Sequence, residues 1–261
     1  MIANYHTHTW RCNHAVGTER EYVEKAIEAG LEILGFSDHT PYIFPGEYYS
    51  TFRMRLRQLQ DYVDTVLQLK QEYAGHIQIH LGLELEYYPG LLGQLLPVLK
   101  DQPLEYLLLG QHLLGDEITP WGREHYNGNA TDDPKLLERY VNQTIEGIGS
   151  GLFTYLAHPD LFFFTGEEKC YRQHMRRLCR EAAQCQMPLE INLLGYVSGR
   201  HYPNEMFWQE AAEENCQVIL GRDAHAPGQF LREDVLEMGM ELVRKYHLTL
   251  LETVALRSVG E

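Results

Sequence analysis

Short apolar runs alternate with longer amphipathic segments along this chain of 261 residues. A short apolar run bounded by polar or turn-forming residues is typical of a buried β-strand. Seven such runs are evident, and Thr249–Val254 near the end of the sequence is a candidate for an eighth. The seven predicted strands are Ile2–Tyr5, Ile33–Ser37, Ile77–Tyr87, Tyr106–Leu109, Phe153–Ala157, Leu189–Asn192 and Val218–Gly221.

The segments between these runs repeat apolar residues every three or four positions. Leu59, Val63 and Val66 show this spacing, which places one apolar stripe along a helix. Thr18 precedes Glu21 by three residues, as in a capping box at the start of a helix. The predicted helices are Glu19–Ala29, Thr51–Tyr73, Leu91–Lys100, Pro134–Gly149, Glu167–Gln186, Glu205–Asn215 and Glu233–Lys245.

The strand–helix alternation, repeated along the whole chain, predicts parallel strands joined by crossover helices. A closed or nearly closed barrel accounts for this alternation most economically, and an open doubly wound sheet is the alternative. No linker rich in Pro, Gly or Ser divides the sequence, and no internal repeat is evident. We therefore expect an α/β fold with a single domain over residues 1–261.

The amino-acid composition of the chain limits the kinds of molecule that it is expected to bind. The formal net charge of −15 disfavours nucleic acid and anionic membranes. No apolar stretch approaches the roughly 20 residues of a membrane span, and the N-terminus has no signal-peptide pattern. The five cysteines are scattered and form no CxxC motif, which favours reduced thiols and a cytoplasmic location.

Candidate metal ligands follow nearly every predicted strand. In a parallel barrel the carboxyl ends of the strands converge on one face. Residues two apart on a strand point to the same side, so His6 and His8 can bind one ion, as can Asp223 and His225. The polar residues at these strand ends are His6, His8, Asp38, His39, Glu84, Glu86, His112, His158, Asp160, Glu190, Asn192, Asp223 and His225.

The residue types at these positions indicate a particular class of metal. Imidazole nitrogens with bridging carboxylates suit zinc, manganese or iron better than calcium or magnesium. The ligands outnumber those that one tetrahedral ion needs, so at least two ions are expected. Asn192, Asp160 and Asp38 also suit helix caps or hydrogen bonds at the barrel mouth. Histidine is a poor cap and follows five of the seven strands, which favours a metal site.

Several motifs together resemble one known family. HTHT with His14 downstream, SDH, GLE, GQH, AHPD and RDAH are similar, in order and spacing, to the polymerase and histidinol phosphatase (PHP) superfamily over the whole chain. YLLLGQHLLG, FTYLAHPDL and LEINLLGYVSGRHYPN resemble most its histidinol-phosphatase branch. This resemblance implies a distorted (β/α)7 barrel with a trinuclear centre of divalent transition ions. It also implies hydrolysis of L-histidinol phosphate, in histidine biosynthesis, by attack of a metal-bridging hydroxide.

Site residues follow from the same resemblance, position by position. Glu84, Asp223 and His225 are expected to be catalytic. His14 and His39 are expected to face the substrate. Apart from the resemblance, Arg200 in the GRHYP loop is a candidate phosphate contact, and a solvated loop arginine is the alternative. The implied ligands are His6, His8, Glu84 and Asp223 for a first ion, Glu84, His112 and His158 for a second, and His14, His39 and His225 for a third.

Other residues have candidate supporting roles. Asp38 and Asp160 are expected to orient ligand histidines through hydrogen bonds. An aromatic segment after the second strand forms either a lid over the substrate or simple packing. Its members are Tyr42, Phe44, Tyr48 and Tyr49.

Two other functions compete with histidinol-phosphate hydrolysis. The same site would also suit another phosphate ester, such as a nucleotide or a phosphotyrosine peptide. A metal-binding or regulatory module without activity is the second alternative, although all nine ligand positions are filled. The expected partner is a small phosphate ester, and the sequence does not indicate the oligomeric state.

Overall fold

A computed structural model describes residues 1–119, 122 and 125–259 of the chain. Within these residues the strands form one sheet, in which each strand pairs in parallel with its neighbours in chain order. The strands are β1 (Ala3–Asn4), β2 (Ile33–Phe36), β3 (Gln78–Leu85), β4 (Tyr106–Leu109), β5 (Tyr155–Leu156), β6 (Leu189–Asn192), β7 (Gln217–Gly221) and β8 (Thr249–Leu250).

Helices connect successive strands, as the alternating pattern predicts. The capping box at Thr18 and Glu21 is confirmed: the Thr18 side chain accepts from the Glu21 amide, and the Glu21 side chain accepts from the Thr18 amide. The α-helices are α1 (Glu19–Glu28), α2 (Leu59–Glu72), α3 (Pro89–Lys100), α4 (Pro134–Gly149), α5 (Glu168–Gln184), α6 (Leu194–Val197), α7 (Glu205–Glu213) and α8 (Glu233–Tyr246).

Several predicted boundaries differ from the structure, and two of the differences have an evident cause. The helix predicted from Thr51 begins instead at Leu59, because the preceding segment folds inward and buries Arg53. The guanidinium of Arg53 donates to the main-chain oxygen of Thr40 at 3.0 Å, which a surface helix would not permit. The third strand ends at Leu85, two residues early, since the Tyr87 amide donates to the Gln111 side chain at 2.9 Å and not to a neighbouring strand.

The sheet curls until its first and seventh strands meet beyond their carboxyl ends. Thr7 and Ala224 form a parallel bridge there, and the His8 amide donates to the Ala224 oxygen at 2.9 Å. Strand β8 pairs with the opposite, amino-terminal part of the same edge of β7. The barrel prediction is therefore confirmed over the open sheet. The barrel is distorted because the first part of one edge of β7 pairs with β8, and the chain just beyond β7 pairs on that edge with the segment after β1.

The barrel interior is apolar at one end and polar at the other. A compact cluster fills the amino-terminal end, and a larger core lies between the sheet and the surrounding helices. The polar residues that follow the strands are therefore confined to the carboxyl-terminal face. Members of the interior cluster are Ala3, Tyr5, Tyr106, Leu108, Tyr155, Ala157 and Ile219. Among the described residues, no helix is long and apolar enough to cross a membrane.

Gly82 provides a test of this interior packing. A Cβ at Gly82 would lie 2.4 Å from ring carbons of Tyr106, and Tyr106 is held by its hydroxyl, 2.7 Å from the main-chain oxygen of Tyr5. Gly82→Ala is therefore expected to lower the free energy of unfolding by about 1–3 kcal/mol in urea denaturation. Gly93→Ala, in the exposed face of α3 with open space around it, should raise it by about 0.5–1 kcal/mol. Equal effects of the two substitutions would contradict this packing.

Candidate metal centre

The predicted ligands converge at the carboxyl-terminal face of the barrel. They surround the floor of a cavity of about 690 Å³. Glu84 lies on β3 itself, and the other ligands lie in the segments that follow β1, β2, β4, β5 and β7. Three of them, His6, His8 and His14, follow β1, and two, Asp223 and His225, follow β7. The predicted ligands that line the cavity are His8, His14, His39, Glu84, His112, His158, Asp223 and His225, and His6 lies fully buried behind them.

Four of the histidines are anchored through the same ring atom. Nδ1 of His6 contacts Oε1 of Glu190 at 2.8 Å, and Nδ1 of His112 contacts Oε1 of Glu86 at 2.7 Å. His14 and His225 make the same kind of contact with main-chain oxygens, at 2.8 and 2.9 Å. When Nδ1 is the donor, Nε2 of a neutral ring carries the free lone pair. The four rings therefore direct Nε2 away from their anchors, as metal ligands do.

Glu84 lies between two groups of imidazoles. Its Oε1 is 2.9 Å from Nε2 of His158 and 3.4 Å from Nε2 of His112. Its Oε2 is 3.0 Å from Nδ1 of His39, and 3.6 Å from Nε2 of both His6 and His8. A carboxylate whose two oxygens face different nitrogen sets has the geometry of a bridging ligand.

Asp223 completes the inner group. Its Oδ1 is 3.0 Å from Nε2 of His8 and 3.4 Å from Nε2 of His6, and its Oδ2 accepts from the Asn192 side chain at 3.1 Å. The main chain at Asp223 is left-handed, with φ of 47°, and His158 also has a positive φ, of 31°. Such backbone conformations cost free energy and are concentrated at functional sites. They turn both side chains into the centre immediately after their strands end.

The buried carboxylates and imidazoles of the site shift one another's pKa values strongly. Burial would raise the pKa of Glu84, but the surrounding imidazoles hold it well below its usual range. Burial would lower the pKa of His8, but the carboxylates of Asp223 and Asp38 raise it to about 9. Burial and the charge of His8 together lower the pKa of His225 to about 3. Burial would likewise raise the pKa of Asp223, but His6 and His225 hold it well below its usual range, so Glu84 and Asp223 are ionised at neutral pH and require positive charge beside them.

The donor atoms fit divalent transition ions. Within the described residues, several buried atoms aimed into the centre have no hydrogen-bond partner, among them Oε2 of Glu84 and Oδ1 of Asp223. Among the described residues, several sets of three donors lie within 4.8 Å of one another, close enough to hold an ion, and the following three contain only predicted ligands. These sets are His6, His8 and Asp223; His6, Glu84 and His158; and His8, His39 and His225. A further set, which joins the thiol of Cys12 to His14 and His225, was not predicted from the sequence.

The two predicted supporting carboxylates behave differently. Asp38 faces the centre as expected, with Oδ1 3.5 Å from Nδ1 of His8. The prediction for Asp160 is wrong, because the chain turns after His158 and carries Asp160 away from the ligands. Oδ2 of Asp160 instead accepts from the Asn204 amide at 2.6 Å and from Nε1 of Trp208 at 3.1 Å, which fixes the start of α7. Burial raises the pKa of Asp160 to about 7.

The open side of the cavity contains Arg200 and several phenols. The Arg200 guanidinium lies 3.3 Å from the hydroxyl of Tyr126 and 3.2 Å from that of Tyr202. Both hydroxyls contact the same nitrogen of the guanidinium, Nη1. Burial opposes the charge of Arg200, but the net shift of its pKa is upward, so it is a cation here.

The aromatic segment after β2 is mainly packing. Tyr48 is the member of it that lines the cavity. Tyr42 is buried, with its ring 5.1 Å from that of Tyr88, and Phe44 packs on Tyr42 and Tyr48. The Tyr49 hydroxyl accepts from the Asn13 side chain at 3.0 Å. A lid made of all four residues is therefore not what the structure contains.

Several residues of the site were not assigned a role from the sequence. Glu190 was noted as a polar residue at the end of β6, but its contact with His6 crosses the barrel and has no local signal. Arg53 forms an ion pair with Glu86 at 3.0 Å and a second, shorter one with Glu117, and both carboxylates are fully buried. The residues next to Arg53, Glu86 and Glu117 in the sequence do not indicate that these charged groups are buried.

Comparison with known proteins identifies the family. The sequence model of the PHP domain matches residues 4–193. A probable histidinol-phosphatase of Deinococcus radiodurans is 31% identical over 245 residues, which cover 87% of this chain and 88% of the relative. The histidinol-phosphatase of Bacillus subtilis is 25% identical over 260 residues, covering 85% and 93%.

A solved structure has the same fold. The crystal structure of histidinol phosphate phosphatase from Lactococcus lactis, in complex with zinc, L-histidinol and phosphate, superposes with a TM-score of 0.75. It is 20% identical in sequence, and the superposition covers 98% of this chain and 97% of that one. With a matched barrel, a family model spanning most of the sequence and a relative above 30% identity, the chain belongs to the PHP domain family.

Proposed function

We propose that this protein is a metal-dependent phosphomonoesterase that hydrolyses L-histidinol phosphate to L-histidinol and phosphate. The observation that carries the proposal is the convergence of Glu84 and the eight other proposed ligands at the floor of one cavity. The names of the Deinococcus and Bacillus relatives support this choice of substrate. The zinc, L-histidinol and phosphate bound by the Lactococcus enzyme support it as well.

Two to three divalent ions, of zinc, manganese or iron, would occupy the centre. Glu84 would bridge two of them, since each of its oxygens faces a separate group of imidazoles. Asp223 would join the inner group, and His225 would complete the outer one. The proposed ligands are His6, His8, Glu84 and Asp223 for the first ion, Glu84, His112 and His158 for the second, and His14, His39 and His225 for the third.

The chemistry of the reaction divides between the ions and the protein. When bound, divalent ions would supply hydroxide as a nucleophile near neutral pH and offset the negative charge of the phosphoryl group. The protein holds the ligand rings in one orientation through Glu190, Glu86 and Asp38. His225 remains neutral, because its pKa is lowered to about 3, so it suits a ligand better than a proton donor.

Arg200 is the proposed contact for the phosphate. Its guanidinium reaches the cavity from the loop after α6, and the neighbouring phenols leave N–H groups for an anion. Guanidinium groups bind phosphate oxygens in pairs, which also orients the ester. The alcohol portion would then extend towards the aromatic side of the cavity, which includes Tyr48 and Phe52.

The number of ions tests the centre. Protein purified without chelator should contain two to three transition-metal ions per chain by plasma emission analysis. The expectation follows from the donor count, because nine ligands exceed the coordination sphere of any one such ion. A single ion at saturation, or none, would contradict the trinuclear assignment.

Glu84 and Glu86 are a matched pair for mutation. Glu84 lies on β3 and Glu86 lies just beyond its end, and both are buried. Glu84 faces several imidazoles, whereas Glu86 holds His112 and Arg53. Glu86→Ala should lower kcat by about 10–100-fold, as expected for loss of a group that orients a ligand. Glu84→Ala should lower kcat at least about tenfold further and should also lower the measured metal content. Equal losses in both variants would mean that the bridging role is assigned to the wrong carboxylate.

Substrate selectivity tests the proposed reaction. The kcat/KM for L-histidinol phosphate should exceed that for p-nitrophenyl phosphate by at least about a hundredfold, measured as phosphate release. The ions recognise any phosphate ester, so selection must come from contacts to the amine and imidazole. Two such contacts at roughly 1.5 kcal/mol each give a factor on the order of a hundred. Comparable values for the two esters, or a preference for a nucleotide or a phosphotyrosine peptide, would overturn the assignment of substrate.

A further inference from the structure

A buried carboxylate in the cavity wall has no role in the metal centre. Glu117 lines the cavity, and its side chain is fully buried. Its Oε1 pairs with the guanidinium of Arg53 and lies 3.4 Å from the hydroxyl of Tyr88. Its Oε2 has no hydrogen-bond partner among the residues that the structure describes. Burying a carboxylate oxygen without a donor is costly, so a ligand that brings a donor would recover that free energy.

The charges around Glu117 do not balance. One guanidinium, that of Arg53, is shared between Glu117 and Glu86, and it lies 3.0 Å from Oε2 of Glu86. Glu86 also accepts from Nδ1 of His112, a contact that leaves the imidazole neutral when its other nitrogen binds a metal. Two buried carboxylates therefore face one permanent cation. Of the two carboxylates, Glu117 is the one that lines the cavity, so it is the one beside which a further cation would be placed.

The surface beside Glu117 suits a positively charged or N–H-bearing group. Oγ of Ser50 is buried in the same cavity and faces the Glu117 carboxylate, whose pKa burial raises and Ser50 lowers, but within the described part of the chain the two groups do not reach hydrogen-bond geometry. Phe52 and Tyr48 line the adjoining wall. Aromatic faces attract ammonium and imidazolium groups, and two oxygen acceptors beside them provide the matching hydrogen bonds. The phosphate candidate Arg200 belongs to a different loop, so the cavity carries separate features for an anion and for a cation.

We propose that Glu117, assisted by Ser50, is a specificity-determining residue that accepts a hydrogen bond from a cationic nitrogen in the alcohol portion of the substrate. The proposal rests on the proposed function, since it concerns the alcohol that the phosphatase releases. It assigns to this wall the selection of esters that carry an amine or an imidazole over esters that carry neither. The two nitrogen sources share the same chemistry, and substrate analogues distinguish them.

Glu117→Gln tests the assignment, because it removes the charge and keeps nearly the same volume. The ratio of kcat/KM for L-histidinol phosphate to kcat/KM for p-nitrophenyl phosphate should fall at least about tenfold, the size expected for a lost charged hydrogen bond. Binding of L-histidinol, measured by calorimetry, should weaken by a similar factor. Glu105→Gln is the matched control: Glu105 is half-buried and paired with Lys70 and His80 outside the cavity, so this ratio should not change.

Two analogues separate the sources of the nitrogen. The first, 3-(imidazol-4-yl)propyl phosphate, lacks the amine, and the second, 2-amino-3-phenylpropyl phosphate, lacks the imidazole. The effect of Glu117→Gln should persist for the analogue that keeps the contacting nitrogen and disappear for the other. Ser50→Ala is a milder variant, which should lower the same ratio several-fold even if Glu117→Gln fails to fold.

The outcomes distinguish this proposal from the proposed function. If the unmodified protein prefers L-histidinol phosphate but Glu117→Gln and Ser50→Ala leave the ratio unchanged, the role of Glu117 is overturned and the phosphatase assignment stands. If both variants lower the two activities equally, Glu117 acts only through Arg53 and the metal centre, and the specificity role is again overturned. If the unmodified protein shows no preference for any amine- or imidazole-bearing ester, both proposals fail.

Discussion

The carboxylate of Glu84 is the group on which the site depends, and the barrel is built to leave space for it. A Cβ at Gly110, which follows the neighbouring strand β4, would lie 1.9 Å from Oε1 of Glu84. The same arrangement recurs at Gly221, where a Cβ would lie 1.7 Å from Oε1 of Glu190. In both places a glycine on one strand allows an acidic side chain from the strand beside it to enter the barrel. Gly110 and Gly221 thus make room for charged side chains, and those charged groups then determine where the histidines can point.

Carboxylates and imidazoles in this centre form a system that is complete only with cations. Nδ1 of His6 is committed to Glu190, so a neutral ring presents the lone pair of Nε2 to Asp223 at 3.4 Å and to Glu84 at 3.6 Å. Acceptors that face acceptors repel one another, and either an added proton or a metal ion relieves this repulsion. Protonation of His6 is one way to relieve the repulsion, and the neighbouring carboxylates favour it because they raise the pKa of His6 although burial opposes this. A divalent ion satisfies several such lone pairs at once, which explains why so many donors share one small volume.

Much of this arrangement could be predicted from the sequence because the strands are buried on both faces. Such strands read as continuous apolar runs, so the predicted bounds of Tyr106–Leu109 and Leu189–Asn192 agree with the structure. The convergence of the strand-end histidines followed from the geometry of parallel barrels. Contacts between distant residues could not be predicted. Arg53 lies in a segment with a helical pattern, yet its side chain is buried and paired with the carboxylate of Glu117, 64 residues further along the chain. The error at Asp160 has the same origin, since a local spacing rule cannot detect the turn of the chain after His158.

The buried guanidinium of Arg53 joins the two halves of the cavity. On one side it binds Glu86, which holds His112 in place, and on the other it binds Glu117 in the wall. Its stem and charge are enclosed by the rings of Phe52 and Tyr42, at 4.4 and 5.3 Å, so it cannot shift without repacking that wall. Removing a buried charge from such a network leaves its partners unpaired, and the cost exceeds that of a surface ion pair. The orientation of His112, a proposed metal ligand, and the shape of the cavity wall at Glu117 are therefore coupled through one side chain. A set of substitutions that adapts the pocket to another ester must therefore either keep Arg53 or replace Glu86 and Glu117 together with it.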